Sequence, residues 1–285
     1  MTKISDIERR RYMERAGRYN KAIEELLSRE KETLSLICQD SGDPGMKRIA
    51  LADDMLNLAS NYIILNGISL AVLGIKNEEA LNEARKSIYK CIIYLERVVS
   101  NYVDAPFSEY KEKLAGIAAM DAAARYLLVR KIGLAIQLLK EAYGDNFKWK
   151  RSFVELEGRF AAVTKNIMDL KKAVGNTDPR SPEYEPTVYH LRLIKKLLSQ
   201  TADRYREKYE LSTKNVEDFN MGIRFLSALR RLYSLLGPRD EVEMTKKKLD
   251  IWSAKLEADI KNSKTALTKK LRDEDDGGSG DEEEE

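Results

Sequence analysis

Residues 149–174 read WKRSFVELEGRFAAVTKNIMDLKKAV. Apolar side chains recur along this stretch at alternating spacings of four and three residues, the heptad pattern of helices that pack along one seam. The pattern predicts a single helix about 39 Å long that cannot bury its apolar side alone. One or more other helices must therefore pack against it. The apolar residues of this heptad run are Trp149, Phe153, Leu156, Phe160, Val163, Ile167, Leu170 and Val174.

The helix predicted next along the chain offers a partner for the heptad run. Residues 175–186 (GNTDPRSPEYEP) contain three prolines and are long enough to turn the chain back. We therefore expect an antiparallel hairpin within one chain instead of a coiled coil between two molecules. Its second helix carries the stripe Tyr184, Val188, Leu191, Ile194, Leu198, Thr201 and Tyr205.

The rest of the chain also shows helical periodicity, and no segment shows sustained strand alternation. Short links between the periodic segments favour antiparallel neighbours. We predict an all-α fold, an elongated array of about eight long antiparallel helices of the helical-hairpin or bundle type. Besides the hairpin, the predicted helices span residues 4–38, 46–73, about 78–102, 107–143, 216–236 and 240–271.

Composition and terminal sequence suggest where the protein resides. Charged residues make up 34% and apolar residues 43% of the 285-residue chain, a balance that suits thin helical assemblies with a large wetted surface. The first twelve residues lack the apolar segment of a secretory signal. The most apolar run, residues 59–75, is too short and too interrupted for a membrane span. We therefore predict a cytoplasmic protein without membrane insertion.

Charge is distributed unevenly along the chain. Residues 1–145 carry a net charge of +1, residues 146–272 carry +11, and residues 273–285 carry −9. We therefore predict a near-neutral N-terminal helical half, a basic C-terminal helical half that contains the heptad run, and a disordered acidic tail.

The basic half contains a candidate interaction surface for a polyanion or an acidic protein. Positive charges clustered on one face are the signature of nucleic-acid binding, although acidic residues are interspersed here and the alternative is a solvated face with mixed pairs. The acidic tail would then act as an autoinhibitory counter-ion. The candidate residues are Arg204, Arg206, Lys208, Arg230, Arg231, Lys246, Lys247 and Lys248.

Residues that carry catalytic or metal chemistry are sparse. The sequence has one histidine, His190, and two cysteines, Cys38 and Cys91, too few for a zinc site of the usual kind. Motifs for phosphate loops, dinucleotides, di-iron bundles and serine hydrolases are absent from the sequence. We predict no catalytic residues, no cofactor and no metal, and hence no enzyme. Both cysteines are expected to be buried, and His190 to lie on a solvated or half-buried helix face.

Asp121 is the most unusual polar residue, because it lies within an alanine-rich stretch of the helix predicted over 107–143. One interpretation is an intrahelical pair with Arg125 one turn later, at the edge of a buried face. The alternative is a polar pocket lined by Asp121, Arg125 and Arg130, which would bind a small ligand.

Several helical segments resemble degenerate tetratricopeptide repeats, in which small and large residues alternate across two antiparallel helices. The resemblance covers about a third of the chain and implies a helical scaffold that binds partners, with no binding residue transferred. It rests on Gly17, Tyr19 and Ala22, on Gly67, Leu70, Gly74, Ala80 and Ala84, and on Ala135, Leu139 and Ala142.

Two functions remain at this stage. The favoured hypothesis is a non-enzymatic helical scaffold or adaptor that mediates protein–protein assembly through partners that the sequence does not identify. The alternative is a nucleic-acid-associated protein that uses the basic C-terminal half.

Overall fold

The computed structural model describes residues 4–39, 44–144 and 147–277. Within these ranges the chain forms ten α-helices, one π-helical turn at Tyr209–Thr213 and no strand, so the predicted all-α class is confirmed. The helices are α1 Asp6–Cys38, α2 Pro44–Leu73, α3 Glu78–Val98, α4 Phe107–Ala115, α5 Ala122–Tyr143, α6 Phe147–Asn166, α7 Leu170–Asn176, α8 Tyr184–Lys208, α9 Val216–Leu236 and α10 Arg239–Gly277.

Two compact units make up the fold. The described residues up to Thr201 form the first unit, and those from Ala202 onward form the second. The predicted boundary after residue 145 therefore falls inside the first unit. The reason is that α6 packs against α3 and α5, as in the ion pair between Lys140 of α5 and Glu157 of α6 (2.8 Å).

Helix α2 packs against α1, α3 and α5 and supplies much of the core of the first unit. Among the described residues it is also the one helix that is long and apolar enough to cross a membrane, a test that core helices pass as well. Its acidic residues Asp53 and Asp54 form ion pairs with Lys131 of α5 and Arg29 of α1. Fully buried side chains of this core include Leu51, Met55, Leu58, Leu81, Ile88, Ile92 and Leu95.

The segment predicted as one helix over residues 107–143 contains a break. Helix α4 ends at Ala115, and α5 begins at Ala122. Asp121 has an extended backbone, and its carboxylate accepts a hydrogen bond from the backbone N–H of Ala124 (2.7 Å), which is the geometry of a helix N-cap. The prediction of a continuous helix here is therefore wrong.

The heptad run is also divided. Helix α6 ends at Asn166, and α7 begins at Leu170, so the prediction of a single long helix is wrong. The Asn166 side chain donates from Nδ2 to the carbonyl oxygens of Ser100 (2.8 Å) and Tyr102 (3.0 Å), which ties the end of α6 to the chain beyond α3. Asp169 then caps the start of α7. Because two predicted helices divide, ten helices occur instead of about eight.

Helix α6 has several partner helices, in agreement with the one or more that the heptad spacing requires. It packs against α3 and α5, and Arg159 pairs with Glu96 of α3 through Nε and Oε1 (2.9 Å). Helix α8 contributes a hydrogen bond between the ring of His190 and the carbonyl oxygen of Thr164 (2.9 Å). The side chain of Trp149, which begins the heptad run, lies outside the described part of the structure.

The second unit consists of the last residues of α8, the π-helical turn, α9 and α10. Five aromatic side chains contact one another in its core, at ring-centroid distances of 5.0–5.7 Å. Helix α9 comes close to α8 at Gly222, where an added Cβ would lie 3.1 Å from the carbonyl oxygen of Ala202 and 3.2 Å from the Trp252 ring. Tyr205 and Phe225 are stacked, whereas the pairs Tyr209–Phe219 and Phe219–Trp252 are tilted.

Smaller predictions have mixed outcomes. Cys91 is buried as expected, but Cys38 is exposed at the end of α1, so the prediction for Cys38 is wrong. Helix α10 continues to Gly277, five residues into the predicted acidic tail. Residues 278–285 of that tail lie outside the described residues.

Candidate functional site

A polar pocket lies in the first unit where the start of α5, the junction of α6 and α7, and the start of α8 meet. Its empty volume is about 370 Å³, which includes open solvent at the mouth of the pocket. The enclosed cavity has a volume of about 30 Å³. We call it the α5–α8 pocket. It is lined by Met120, Asp121, Ala122, Arg125, Met168, Asp169, Lys172, Ala173, Asn176, Glu183, Thr187 and His190.

Asp121 and Glu183 place two carboxylates at the N-terminus of α5. One oxygen of Asp121 accepts the Ala124 N–H, as described above, and Oε1 of Glu183 accepts the backbone N–H of Ala122 (3.1 Å). The second oxygen of Glu183 accepts a hydrogen bond from Nδ2 of Asn176 at the end of α7 (2.7 Å). The two acids therefore satisfy free backbone N–H groups of α5, where negative charge is also favoured by the helix dipole.

Arg125 forms the buried floor of the pocket, with 4% of its surface exposed. Its guanidinium donates from Nε to the carbonyl oxygen of Met120 (3.0 Å), from Nη1 to that of Ile167 (2.9 Å) and from Nη2 to that of Ile117 (3.1 Å). Burial lowers the pKa of Arg125, and the nearby charges of Asp169, Glu183 and Asp121 oppose that shift. The interpretation of Asp121 and Arg125 as an intrahelical i,i+4 pair is wrong, since Asp121 is the cap preceding α5.

Asp169 and Lys172 form another side of the pocket. Oδ1 of Asp169 accepts hydrogen bonds from the backbone N–H groups of Lys171 and Lys172, both at 3.1 Å, and so caps α7. The side chain of Lys172 is exposed at the rim. Together with Asp121 and Glu183, Asp169 brings the number of lining carboxylates to three against the two cations Arg125 and Lys172.

His190 is almost completely buried, with 2% of its surface exposed. The prediction of a solvated or half-buried face is therefore wrong, because α8 turns this side chain toward α6. Its Nε2 lies 2.9 Å from the carbonyl oxygen of Thr164, so Nε2 carries the proton and donates it. Burial lowers the pKa of His190 to about 4, which leaves Nδ1 as an unprotonated acceptor at neutral pH. Nδ1 makes no hydrogen bond to any described residue.

Thr187 lies one turn before His190 on α8 and is also 2% exposed. Its backbone N–H donates to the carbonyl oxygen of Glu183 (3.2 Å), but its hydroxyl makes no hydrogen bond within the described ranges. The hydroxyl can both donate and accept. The wall that α8 contributes therefore carries two polar groups with unused hydrogen-bonding capacity.

Arg130 does not belong to this pocket. It is exposed one turn farther along α5, with its guanidinium 5.9 Å from the centroid of the Tyr126 ring. The structure thus brings together two of the three predicted pocket residues, Asp121 and Arg125. We did not predict from the sequence that the pocket is also lined by Asp169, Glu183, Thr187 and His190. The only signal for them was polar residues next to predicted breaks, such as the acids within and before the proline-rich segment.

A second feature is an exposed apolar stripe on α5, which we call the α5 stripe and which consists of Leu127, Leu134 and Leu138. Their side chains are 57%, 56% and 39% exposed, respectively. The spacings of seven and four residues place them on one side of the helix. The opposite side of α5 is buried in the core through Leu128, Val129, Ile132, Ala135, Ile136 and Leu139.

The candidate basic surface lies in the second unit, and several of its charges are paired there. Arg206 contacts Glu210 (3.0 Å), Lys208 contacts Asp218 (2.7 Å), and Lys248 contacts Asp203 (2.8 Å). Arg206 and Lys248 also lie over the Trp252 ring, at 5.3 and 5.0 Å from its centroid. Burial lowers the pKa of Arg204. Arg206, Lys208 and Lys248 therefore contribute to the packing of the second unit.

The other members of the predicted surface, Arg230 and Arg231 on α9 and Lys246 and Lys247 on α10, are exposed. Arg230, Lys246 and Lys247 form no ion pair with any described residue. No group of described histidine, cysteine, aspartate or glutamate side chains is arranged to hold a metal ion.

Comparison with known proteins identifies a family. A family model described as the TP0443 family matches residues 8–260, which includes parts of both units. No curated protein and no solved structure matches the chain. The resemblance to tetratricopeptide repeats stays a prediction. Because the family model covers most of the sequence, the chain belongs to the TP0443 family.

Proposed function

We propose that this protein is a non-enzymatic helical scaffold or adaptor that assembles with other proteins and presents its helices as an elongated antiparallel array. The observation that carries the proposal is the α5 stripe. A helix that is apolar on two opposite sides needs a neighbour on each. Among the described residues, the core neighbours of α5 cover the side opposite the α5 stripe, and the stripe itself stays exposed.

The spacing of the α5 stripe suits a helical partner. Leu127, Leu134 and Leu138 follow the heptad geometry in which one helix inserts side chains between those of another. Lys131 lies between Leu127 and Leu134 on this side of the helix. Its ammonium group pairs with Asp53 of α2 (2.7 Å), so its charge is neutralised within the stripe. The occupant that fits this surface is an amphipathic helix of a partner protein.

Charge beside the stripe adds to its selectivity. Arg130 is exposed next to Leu127 and Leu134 on the same face of α5. A partner helix with acidic residues flanking its apolar seam would complement this cation, whereas a basic partner helix would be repelled. The proposal is therefore specific to an amphipathic helix with acidic flanks.

A photo-crosslinking residue at position 134, introduced in the native host, tests which molecule covers the stripe. A matched protein carries the same residue at Lys21, an exposed position on α1. We expect position 134 to give a discrete crosslinked product with another protein, and position 21 to give none. Crosslinks between two copies of this chain, or the same products from both positions, would contradict the proposal.

The partner found in this way is then purified and its affinity measured by calorimetry. The double variant Leu134→Glu/Leu138→Glu should bind at least about tenfold more weakly, because buried contacts of this kind contribute 1–2 kcal/mol or more. The control Leu211→Glu changes a leucine that is 81% exposed in the π-helical turn and should leave affinity unchanged. Equal affinities for all three proteins would reject the α5 stripe as the interface.

The second candidate function is binding of a nucleic acid or another polyanion through the second unit, with the acidic tail as an autoinhibitory counter-ion. The observation that favours it is the set of exposed cations Arg230, Lys246 and Lys247, which have no ion-pair partner among the described residues. Against it stand the ion pairs of Arg206, Lys208 and Lys248, which reduce the charge available to a polyanion.

A further inference from the structure

The α5–α8 pocket contains buried polar groups whose hydrogen bonds are incomplete. Thr187 and His190 are each 2% exposed, and both line the pocket from α8. Neither the Thr187 hydroxyl nor Nδ1 of His190 has a hydrogen-bond partner in the described structure. Neither atom is among the described side-chain atoms that are both sealed from solvent and without a partner, so both have access to the open space of the pocket, where a polar group is expected to have a hydrogen-bond partner. A molecule in the pocket would supply the missing bonds.

The carboxylates around these groups also retain free acceptor capacity. Asp121 and Asp169 each use Oδ1 to cap a helix, and Oδ2 of each accepts no hydrogen bond from a described residue. Glu183, by contrast, uses both oxygens within the protein. The open positions are therefore three acceptors, namely two carboxylate oxygens and an imidazole nitrogen, together with one hydroxyl.

The charge of the pocket selects a cation. Three carboxylates face the two cations Arg125 and Lys172, and each nitrogen of the Arg125 guanidinium already donates to a backbone carbonyl. His190 adds no charge, because burial holds its pKa well below neutrality. The lining therefore has a net charge of about −1 at neutral pH, which disfavours an anion.

We propose that the α5–α8 pocket binds a small primary ammonium compound, whose N–H groups donate to Nδ1 of His190 and to the free carboxylate oxygens of Asp121 and Asp169. The Thr187 hydroxyl completes the shell as acceptor for a further N–H or as donor to a polar substituent. The cavity volume of about 30 Å³ restricts the buried part of the ligand to a few non-hydrogen atoms. This site does not depend on the scaffold function or on the α5 stripe.

The negative charge of the pocket would also attract a metal ion, but the arrangement of its hydrogen-bond acceptors favours an ammonium group. The described carboxylates and His190 do not form a group that could hold a metal ion. Hydrogen-bond acceptors spread around a pocket match the several N–H donors of an ammonium group, whereas a metal ion needs its ligands converging at short distances. An ammonium ligand therefore uses the separate acceptors as they stand.

The single histidine of the chain gives a direct signal for the test. The full-length protein is labelled with ¹⁵N at histidine and titrated with methylammonium chloride, with sodium chloride as the reference at equal ionic strength. Accepting an N–H bond should move the Nδ1 resonance of His190 in a saturable manner. Tetramethylammonium carries the same charge without N–H donors and should cause no such change, and sodium acetate should also cause none.

Two conservative variants locate the ligand within the pocket. Asp121→Asn preserves an N-cap side chain while removing its charge, and Thr187→Val removes the hydroxyl at nearly constant size. Each should weaken methylammonium binding about tenfold, the usual effect of losing one hydrogen bond to a charged group. Asp6→Asn removes a carboxylate from the exposed first turn of α1 and should leave binding unchanged.

Three results would overturn the proposal. The first is a His190 spectrum unaffected by methylammonium, which would mean that water alone occupies the pocket. The second is an equal response to methylammonium and tetramethylammonium, which would show a general cation effect. The third is a response to methylammonium that Asp121→Asn and Thr187→Val leave unchanged while both variants keep the wild-type thermal unfolding midpoint.

Discussion

The guanidinium of Arg125 donates from Nη1 to the carbonyl oxygen of Ile167 at 2.9 Å, and this bond joins the start of α5 to the end of α6. The same side chain reaches the carbonyl oxygens of Ile117 and Met120 in the segment between α4 and α5. These carbonyls lack partners in a regular helix, because both helical segments end there. One buried cation therefore stabilises both chain breaks that divide the first unit.

Replacing Arg125 by methionine tests this role. Methionine retains much of the apolar stem but removes the side-chain donor from the carbonyl oxygens of Met120 and Ile167. The carbonyl oxygen of Ile117 keeps the backbone N–H of Met120 as a donor (3.0 Å). We expect the free energy of unfolding of the first unit to fall by about 3 kcal/mol, since each buried unsatisfied group costs about 1–3 kcal/mol and water enters to satisfy some of them. Urea denaturation followed by circular dichroism measures the change.

Arg130→Met provides the matched control for this variant. Arg130 lies on the same helix but is exposed, with its guanidinium over the Tyr126 ring. Its replacement should change stability by no more than about 0.5 kcal/mol. If Arg125→Met and Arg130→Met shifted the urea midpoint equally, Arg125 would not be the residue that stabilises the breaks.

Helical periodicity predicted the extents of most helices well, and its failures share one cause. Helices α1, α2 and α9 begin and end within a few residues of their predicted limits. The heptad run failed at Asn166, because apolar spacing continues through Ile167 and Leu170 although the backbone leaves the helix between them. Spacing reports which side chains are buried, and the break is decided by distant groups, the carbonyls of Ser100 and Tyr102.

The α5–α8 pocket was predictable only in part for the same reason. Asp121 and Arg125 were conspicuous because they interrupt an alanine-rich stretch. Glu183 lies 61 residues from its partner Ala122, and His190 lies 26 residues from Thr164. Contacts at such sequence separations depend on how whole helices pack, so they cannot be predicted from local composition.

Gly222 should be required in the second unit. Alanine usually stabilises a helix interior by about 1 kcal/mol relative to glycine. Here the added Cβ would lie 3.1 Å from the carbonyl oxygen of Ala202 and 3.2 Å from Cζ3 of Trp252, and overpacking of this kind costs about 1–3 kcal/mol. We expect Gly222→Ala to lower the free energy of unfolding of the second unit by about 1 kcal/mol.

Gly67→Ala is the control, because an added Cβ at Gly67 of α2 meets no atom within 4 Å. This variant should be stabilised by about 0.5–1 kcal/mol. Thermal unfolding followed by circular dichroism should therefore show midpoint shifts of opposite sign for the two variants. A stabilised Gly222→Ala protein would mean that α8 and α9 can separate at this contact.

Heparin retention tests the polyanion alternative. Neutralising the unpaired cations together, as Arg230→Ala/Lys246→Ala/Lys247→Ala, should lower the salt concentration of elution, because each phosphate-like contact releases bound counter-ions. The paired set, Arg206→Ala/Lys208→Ala/Lys248→Ala, should have a smaller effect, since its charges are partly neutralised by Glu210, Asp218 and Asp203. The same elution for both sets and for wild type would exclude polyanion binding by this surface.

Deletion of residues 273–285 tests whether the acidic tail opposes such binding. The tail carries a net charge of −9, and residues 146–272 carry +11. If the tail acts as a counter-ion, its removal should raise the salt concentration of elution from heparin, and the increase should diminish as the loading salt is raised. Unchanged retention across a salt series would reject autoinhibition.

The buried His190 should make folding stability depend on pH. Its pKa falls from an ordinary value of 6.5 to about 4 in the folded protein, so between these values the unfolded chain binds a proton that the folded chain does not. The resulting stabilisation is fully present above pH 6.5 and is lost as the pH falls toward 4. A fall of the pKa from 6.5 to about 4 corresponds to about 3 kcal/mol of folding free energy.

Comparing wild type with His190→Gln isolates this effect from the titration of carboxylates. Asp121, Asp169 and Glu183 also face the pocket and are present in both proteins, so any contribution that they make to the pH dependence cancels in the difference. The free energy of unfolding of wild type should rise more steeply than that of His190→Gln between pH 4 and 6.5. Parallel curves, or a His190 NMR resonance that titrates near pH 6.5 in the folded protein, would show that the imidazole remains accessible to protons.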